Sequence, residues 1–220
     1  MRTLVIAPHP DDELLGPGGT LLRRKFEGAE LAWVIVTAIS TETGWDEKRV
    51  KQRSDEIQQV TRVLGFDQVY SLGFPTASLD RVPVGDLVSA FSRVFKEFEP
   101  EEVFLPHPSD VHTDHRIVFD AAAGCTKWFR YPSVKRVLAY ETLSETDFGL
   151  TPGDMFKPNL FIDIEPFLDA KLELLNIYKS ELGEFPFPRS HDSLRALATL
   201  RGSASGYKAA EAFELLRERY

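Results

Sequence analysis

A single cysteine, Cys125, stands in a chain of 220 residues. No internal disulfide framework is possible, and a reducing compartment is expected. Positive charge is also scarce: 26 Lys and Arg stand against 34 Asp and Glu, a formal net charge of −8. A nucleic-acid binder needs a basic face, so this balance argues against one, although a local cationic pocket stays open. No apolar run approaches the roughly 20 residues that cross a bilayer. The apolar start, Thr3–Ala7, is broken by Pro8 and Pro10 too soon for a secretory signal. Repeats of roughly 20–50 residues, heptads and low-complexity stretches are missing. So are Walker A and GxGxxG patterns, and Gly18-Gly-Thr20 therefore reads as close packing, not a phosphate cradle. The expectation is one cytoplasmic domain over residues 1–220, with no transmembrane segment and no nucleic-acid partner. Homo-oligomer assembly is left open.

Hydrophobic residues make up 43% of the chain, enough for a core. Strand-like and helix-like segments alternate. Residues 2–7, 31–37, 68–71, 102–106, 135–141 and 159–164 read as strands. Helices are expected over 17–27, 46–64, 84–98, 113–125, 166–180 and 204–218, with Gly28 and Gly65 as stops. The stretch 142–158, rich in Thr, Gly and Pro, reads as a surface loop or lid. Near-continuous apolar strands alternating with helices predict an α/β fold: a Rossmann-like, parallel-dominated sheet with helices on both faces.

Two polar clusters each follow an apolar strand. Pro8-His-Pro-Asp-Asp-Glu13 packs His9, Asp11, Asp12 and Glu13 between stiffening prolines. The second is His107-Pro-Ser-Asp-Val-His-Thr-Asp-His115. Loops at the carboxyl ends of parallel strands share one edge of the sheet. His9 and Asp12 can therefore meet His112 or His115. Three N/O ligands and an open position suit catalytic Zn²⁺, with Fe²⁺ or Co²⁺ as other fits. Asp11 is then placed to take a proton from water, and Asp114 to orient one of its flanking histidines. No organic cofactor is expected.

These residues resemble the PIG-L/LmbE-like family of metal-dependent N-acetylglucosamine N-deacetylases. Its (A/P)HPDDE motif is met by Pro8–Glu13, the following Gly-Gly-Thr by residues 18–20, and its HxDH motif by His112-Thr-Asp-His115 with Arg116 behind. Arg53-Ser-Asp-Glu56 looks like the family's Arg-x-x-Glu helix, and Tyr178-Lys-Ser180 and Arg201-Gly-Ser203 through Phe213 look like the bacterial members' end. The likeness runs from residue 3 to about 214. It departs at Thr76, where many members carry Asp, which leaves the sugar unidentified.

The resemblance implies a zinc-dependent N-deacetylase that releases acetate from an N-acetylated amino sugar or its conjugate. It implies His9, Asp12 and His115 as metal ligands and Asp11 as general base. His112 faces the oxyanion as an imidazolium, with Asp114 behind it. An esterase or amidase on a non-sugar substrate, and a sugar- or nucleotide-binding protein without turnover, are the rival readings. Arg53 is a candidate substrate contact or an ordinary paired helix arginine. Asp110 is a candidate for the pocket wall or for a helix cap near residue 111. Tyr140 is a candidate substrate contact or a packing residue. Glu13 is expected to tether the loop, His107 to be a satisfied loop histidine, and Cys125 a small apolar core residue.

Overall fold

The apolar runs of the first two thirds of the chain pair side by side as parallel strands. The computed structural model describes residues 1–150, 153 and 155–220. Its strands are β1 (Arg2–Ala7), β2 (Glu30–Ala38), β3 (Gln68–Pro75), β4 (Glu102–Pro106), β5 (Arg136–Tyr140), β6 (Leu160–Asp163) and β7 (Ala210–Glu218). They form one sheet in the order β3-β2-β1-β4-β5-β7-β6. β3, β2, β1, β4 and β5 run parallel, and β7 inserts antiparallel to both β5 and β6. The helices are α1 (Asp12–Leu15), α2 (Gly18–Phe26), α3 (Glu47–Val60), α4 (Val84–Phe98), α5 (Thr113–Ala123), α6 (Leu168–Leu175) and α7 (His191–Ser205).

Alternation along buried strands sorts the core onto two faces. Val5, Trp33, Phe104 and Leu138 join Leu21 of α2, Leu172 of α6 and Leu194 of α7. Leu4, Val34, Val103 and Val137 join Phe91 and Phe95 of α4 and Val118 of α5. Cys125 is fully buried in this second layer. The predicted α/β architecture with helices on both faces is what the chain adopts. No helix among the described residues is long and apolar enough to cross a membrane.

The chain order reverses at β1: β2 and β3 extend to one side, β4 and β5 to the other. In such sheets the crevice beyond the strand ends at the reversal is where ligands bind. The loops after β1 and β4, which carry the two polar clusters, flank that point.

The end of the chain departs from expectation. The helix expected over 204–218 does not form: α7, which was not expected, ends at Ser205 and is closed by Gly206 at φ 83°, and 210–218 is strand β7. The Ala, Glu, Leu and Arg content of Ala210–Glu218 favours helix locally, but two flanking strands supply ladder partners and override it. The helix expected over 166–180 is shorter, α6 ending at Leu175. Of the loop expected over 142–158, residues 151, 152 and 154 lie outside the described residues.

β7 also explains Gly18-Gly-Thr20. The Glu211 carboxylate, 7% exposed, accepts from the Gly19 and Thr20 N–H groups, both at 2.7 Å. Lys171 Nζ bonds the same carboxylate at 2.7 Å and the Gly16 carbonyl at 2.9 Å. The amino end of α2 is thus satisfied from within. A Cβ at Gly19 would sit 2.9 Å from Ile164 Cδ1, so the helix approaches its neighbour only with glycine there. Glu211→Ala leaves Lys171 buried without its counter-ion. The expected destabilisation is about 3–5 kcal/mol by denaturant unfolding, and a loss below about 1 kcal/mol would refute this role.

Candidate active site

The β1 loop is fixed before any ligand is considered. Thr37 of β2 donates to the Pro8 carbonyl from its N–H at 3.0 Å and from Oγ1 at 2.8 Å. Asp11 then takes φ 144°, a conformation that non-glycine residues rarely adopt. What holds it is Glu13, whose Oε2 accepts from the Asp11 N–H at 2.9 Å while Oε1 accepts from the Tyr178 hydroxyl at 2.9 Å. Glu13 is fully buried and tethers the loop, as expected from the sequence. The kink sends neighbouring carboxylates different ways. Asp12 turns inward to the β4 loop, and Asp11 lines the open cleft.

Two histidines meet Asp12. His115 Nε2 lies 3.3 Å and His9 Nδ1 3.4 Å from Asp12 Oδ2. Their donor atoms fall within 4.8 Å of one another, so the trio can hold a metal ion. Each ring is braced on its far side by a carboxylate. Asp110 contacts His115 Nδ1 at 2.8 Å, and Asp114 contacts His9 Nε2 at 3.1 Å. Such arms fix the tautomer that leaves the other nitrogen free to coordinate.

Electrostatics point the same way. Burial alone would lower both histidines. Instead, hydrogen bonds from Asp114 and Asp12 raise His9 to about 9, and Asp12 with Asp110 raises His115 to about 10. Burial would raise Asp12, but His115 and His9 hold it well below the usual carboxylate range. A cluster that draws protons onto imidazole is one that calls for a cation. His₂Asp is a fitting donor set for a borderline divalent metal. A second trio, His9, His112 and Asp114, is as close. Its carboxylate is already committed to the Ala77 N–H at 2.7 Å, the Leu79 N–H at 3.2 Å and His9.

Asp114 therefore does not sit behind His112, contrary to the family-based expectation. Its backbone N–H donates to His112 Nδ1 at 3.1 Å, while its carboxylate serves His9. Burial, and then the charges of His9 and His115, lower His112 to about 4. The ring is neutral near pH 7. With Nδ1 accepting, Nε2 carries the hydrogen, a donor that needs no added proton.

Asp110 is neither pocket wall nor helix cap, and Tyr140 takes the packing alternative and not the substrate contact. Asp110 is fully buried behind His115 and accepts from Thr146 Oγ1 at 2.6 Å. Tyr140, also fully buried, donates to the Ile6 carbonyl at 2.9 Å. Neither lines the cleft. Asp110→Ala should weaken metal binding by about 10–100-fold, read by calorimetric titration of the metal-free protein; unchanged affinity would contradict its bracing role. Arg53 does line the cleft, bonded to the Pro10 carbonyl at 2.7 Å and paired with Glu181. His107 is buried and accepts from the Ser109 N–H at 3.2 Å, a satisfied loop histidine.

The sequence reading missed Arg189, Glu145 and Glu181. Arg189 grips Asp11 Oδ2 at 2.9 Å and Glu145 at 3.1 Å. Burial, then the Asp12 charge, push Asp11 up, to about 7 in spite of Arg189. These three residues lie in irregular segments far along the chain, outside any motif. An arginine between two prolines and a helix cap, Pro188-Arg-Ser190, is the faint signal that was there.

Known proteins share this architecture. A family model described as "PIG-L: GlcNAc-PI de-N-acetylase" matches residues 4–126, more than half of the chain. The diacetylchitobiose deacetylase of Thermococcus kodakarensis is 25% identical over 225 residues, spanning 96% of this chain and 81% of its own. A Bacillus anthracis protein named "Probable N-acetyl-alpha-D-glucosaminyl L-malate deacetylase 2" is 24% identical over 188 residues, 82% of this chain and 81% of its own. Among solved structures, the conserved protein TT1542 of Thermus thermophilus superposes with a TM-score of 0.78. The two are 29% identical, with 99% of this chain and 96% of that one covered.

Proposed function

The chain belongs to the PIG-L family, and from that footing we propose that it is a metal-dependent hydrolase. It removes the N-acetyl group from an N-acetylated amino sugar or its conjugate and gives acetate and a free amine. Both curated relatives are named as deacetylases, one of diacetylchitobiose and one of an N-acetylglucosaminyl malate. The observation that carries the reading is the division of labour in one loop. Asp12 joins His9 and His115, and the preceding carboxylate, Asp11, lies outside that trio and lines the cleft.

His9, Asp12 and His115 would hold the metal, with Zn²⁺ our first assignment and Fe²⁺ or Co²⁺ as alternatives. Bound there, it supplies Lewis acidity for the acyl oxygen and lowers the pKa of water towards about 7. Asp11 accepts a proton from the attacking water. Burial raises its carboxyl above the usual carboxylate range, the direction that suits a base which must hold a proton and later give it back. The carbonyl π bond opens to a tetrahedral oxyanion, and neutral His112 donates its Nε2–H to that oxygen. As the C–N bond breaks, Asp11 returns the proton to the leaving nitrogen. Arg189 keeps Asp11 aimed during both transfers. Asp114 and Asp110 hold the two ligand rings.

Acetate release from free and conjugated N-acetylhexosamines, with and without chelator, tests this reading. Release that chelator abolishes and Zn²⁺ restores is expected. Hydrolysis of esters or phosphates with every N-acetyl sugar left intact would overturn it.

A further inference from the structure

The cleft above Asp11 and His112 has a volume of about 620 Å³. Ligand pockets run to roughly 300–1,000 Å³, so there is room for more than the reacting acetamido group and its ring. What the rest of the cleft recognises is written in its charges and its apolar wall.

Three arginines line it, Arg49, Arg53 and Arg189, and each is engaged. Arg49 bonds Glu181 at 3.0 Å and Glu56 at 3.3 Å. Arg53 pairs with Glu181 and lies 3.3 Å from Glu56. Arg189 holds Asp11 and Glu145 and lies 3.7 Å from the same Glu181. Their side chains are 12–21% exposed, so these are partly desolvated pairs. The four carboxylates they meet, Asp11, Glu56, Glu145 and Glu181, outnumber them. Among the described residues lining the cleft there is no further Lys or Arg. A phosphate or carboxylate on the substrate would find no free fork and would have to break an existing pair.

Beside this closed network, partly on the same helix α3, the cleft lining is apolar. Trp45 stands on the segment between β2 and α3, and Ile39, Val50 and Ile57 flank it along the cleft. Trp45 is 43% exposed. An indole left open at the mouth of a cleft offers a flat apolar face that pyranose C–H groups or hydrocarbon can cover.

We propose that this wall is the aglycone subsite and that it selects an uncharged aglycone with an apolar face, either a second pyranose or an alkyl or aryl group, with Trp45 as the specificity-determining residue. The inference rests on the deacetylase reading for the identity of the reacting end.

Metal-loaded protein and its Trp45→Ala variant are compared for acetate release from five probes. These are N-acetylglucosamine, N,N′-diacetylchitobiose, octyl N-acetylglucosaminide, N-acetylglucosamine 1-phosphate and UDP-N-acetylglucosamine. Binding of the same probes is followed by calorimetry. The neutral conjugates should exceed free N-acetylglucosamine in kcat/KM by about tenfold, and the two anionic ones should not. Trp45→Ala should lose about tenfold more on the neutral conjugates than on the free sugar. A gain with chitobiose alone marks a saccharide subsite, and one with the octyl compound a hydrocarbon subsite. Preference for the anionic probes, or equal loss on all probes in Trp45→Ala, overturns the inference. If no probe releases acetate, the deacetylase reading itself fails, and calorimetry still decides: tighter binding of neutral than anionic conjugates supports the subsite, the reverse refutes it.

Discussion

Asp11→Asn protein keeps its metal and loses turnover by about 10²–10⁴-fold, the usual contribution of a positioned acid–base group. Asn is the informative replacement. It preserves volume on a backbone strained at φ 144° and leaves the N–H bond to Glu13 in place. It also keeps an oxygen for Arg189. What it removes is the ability to accept a proton. The loss should fall on kcat with little change in KM, because Asp11 acts on water and on the departing nitrogen, not on the sugar. Metal content by elemental analysis should match the parent. Near-parental kcat would remove Asp11 as the base, and loss of metal would move it into the ligand set.

His115→Ala has the larger effect. Its ring is 1% exposed, held between Asp12 at 3.3 Å and Asp110 at 2.8 Å. Removing it deletes a donor and leaves two buried carboxylates facing each other across the gap. Metal affinity should fall by well over the roughly 10–100-fold expected when only a bracing partner such as Asp110 is lost. Acetate release should drop to background with it. Competition against a chromogenic chelator gives the affinity directly, and parental affinity would exclude His115 as a ligand.

The two predictions separate a base on the β1 loop from a ligand on the β4 side of the sheet edge, and that separation was legible in the sequence to a definite depth. Pro8–Glu13 and His112–His115 each follow an apolar strand, and residue type alone placed them on the shared edge of a parallel sheet. Proline stiffness and the run of acids told that neighbouring carboxylates had different work. The far ends of the histidine rings were not legible. Asp114 lies next to His115 in sequence and two residues from His112, but the start of α5 turns its carboxylate to His9, 105 residues away. Local order cannot show which of three rings a side chain at a helix start will meet. Arg189 and Glu181 were invisible for the same reason: they reach the cleft from an irregular segment, and nothing periodic marks them.

The carboxyl-terminal strand failed differently. Ala210–Glu218 is composed of good helix formers, and its strand state is imposed by β5 and β6 on either side. Glu211 within it then reaches the amino end of α2, so a segment expected as helix holds the start of α2 as a strand. α7 was not among the helices expected from the sequence, although its start carries a local signal. Ser190 caps it by accepting from the Ser193 N–H at 3.1 Å, and Leu194 and Ala198 recur on its buried face.

Metal-free protein titrated with Zn²⁺ while acetate release from an N-acetylglucosamine conjugate is followed tests the central assignment most directly. Release should be absent at the start and rise in proportion to added metal. It should level off at about one equivalent per chain, as a single three-ligand site requires, and His115→Ala should give no rise. Full acetate release from the metal-free chain, or an unchanged titration in His115→Ala, would contradict it.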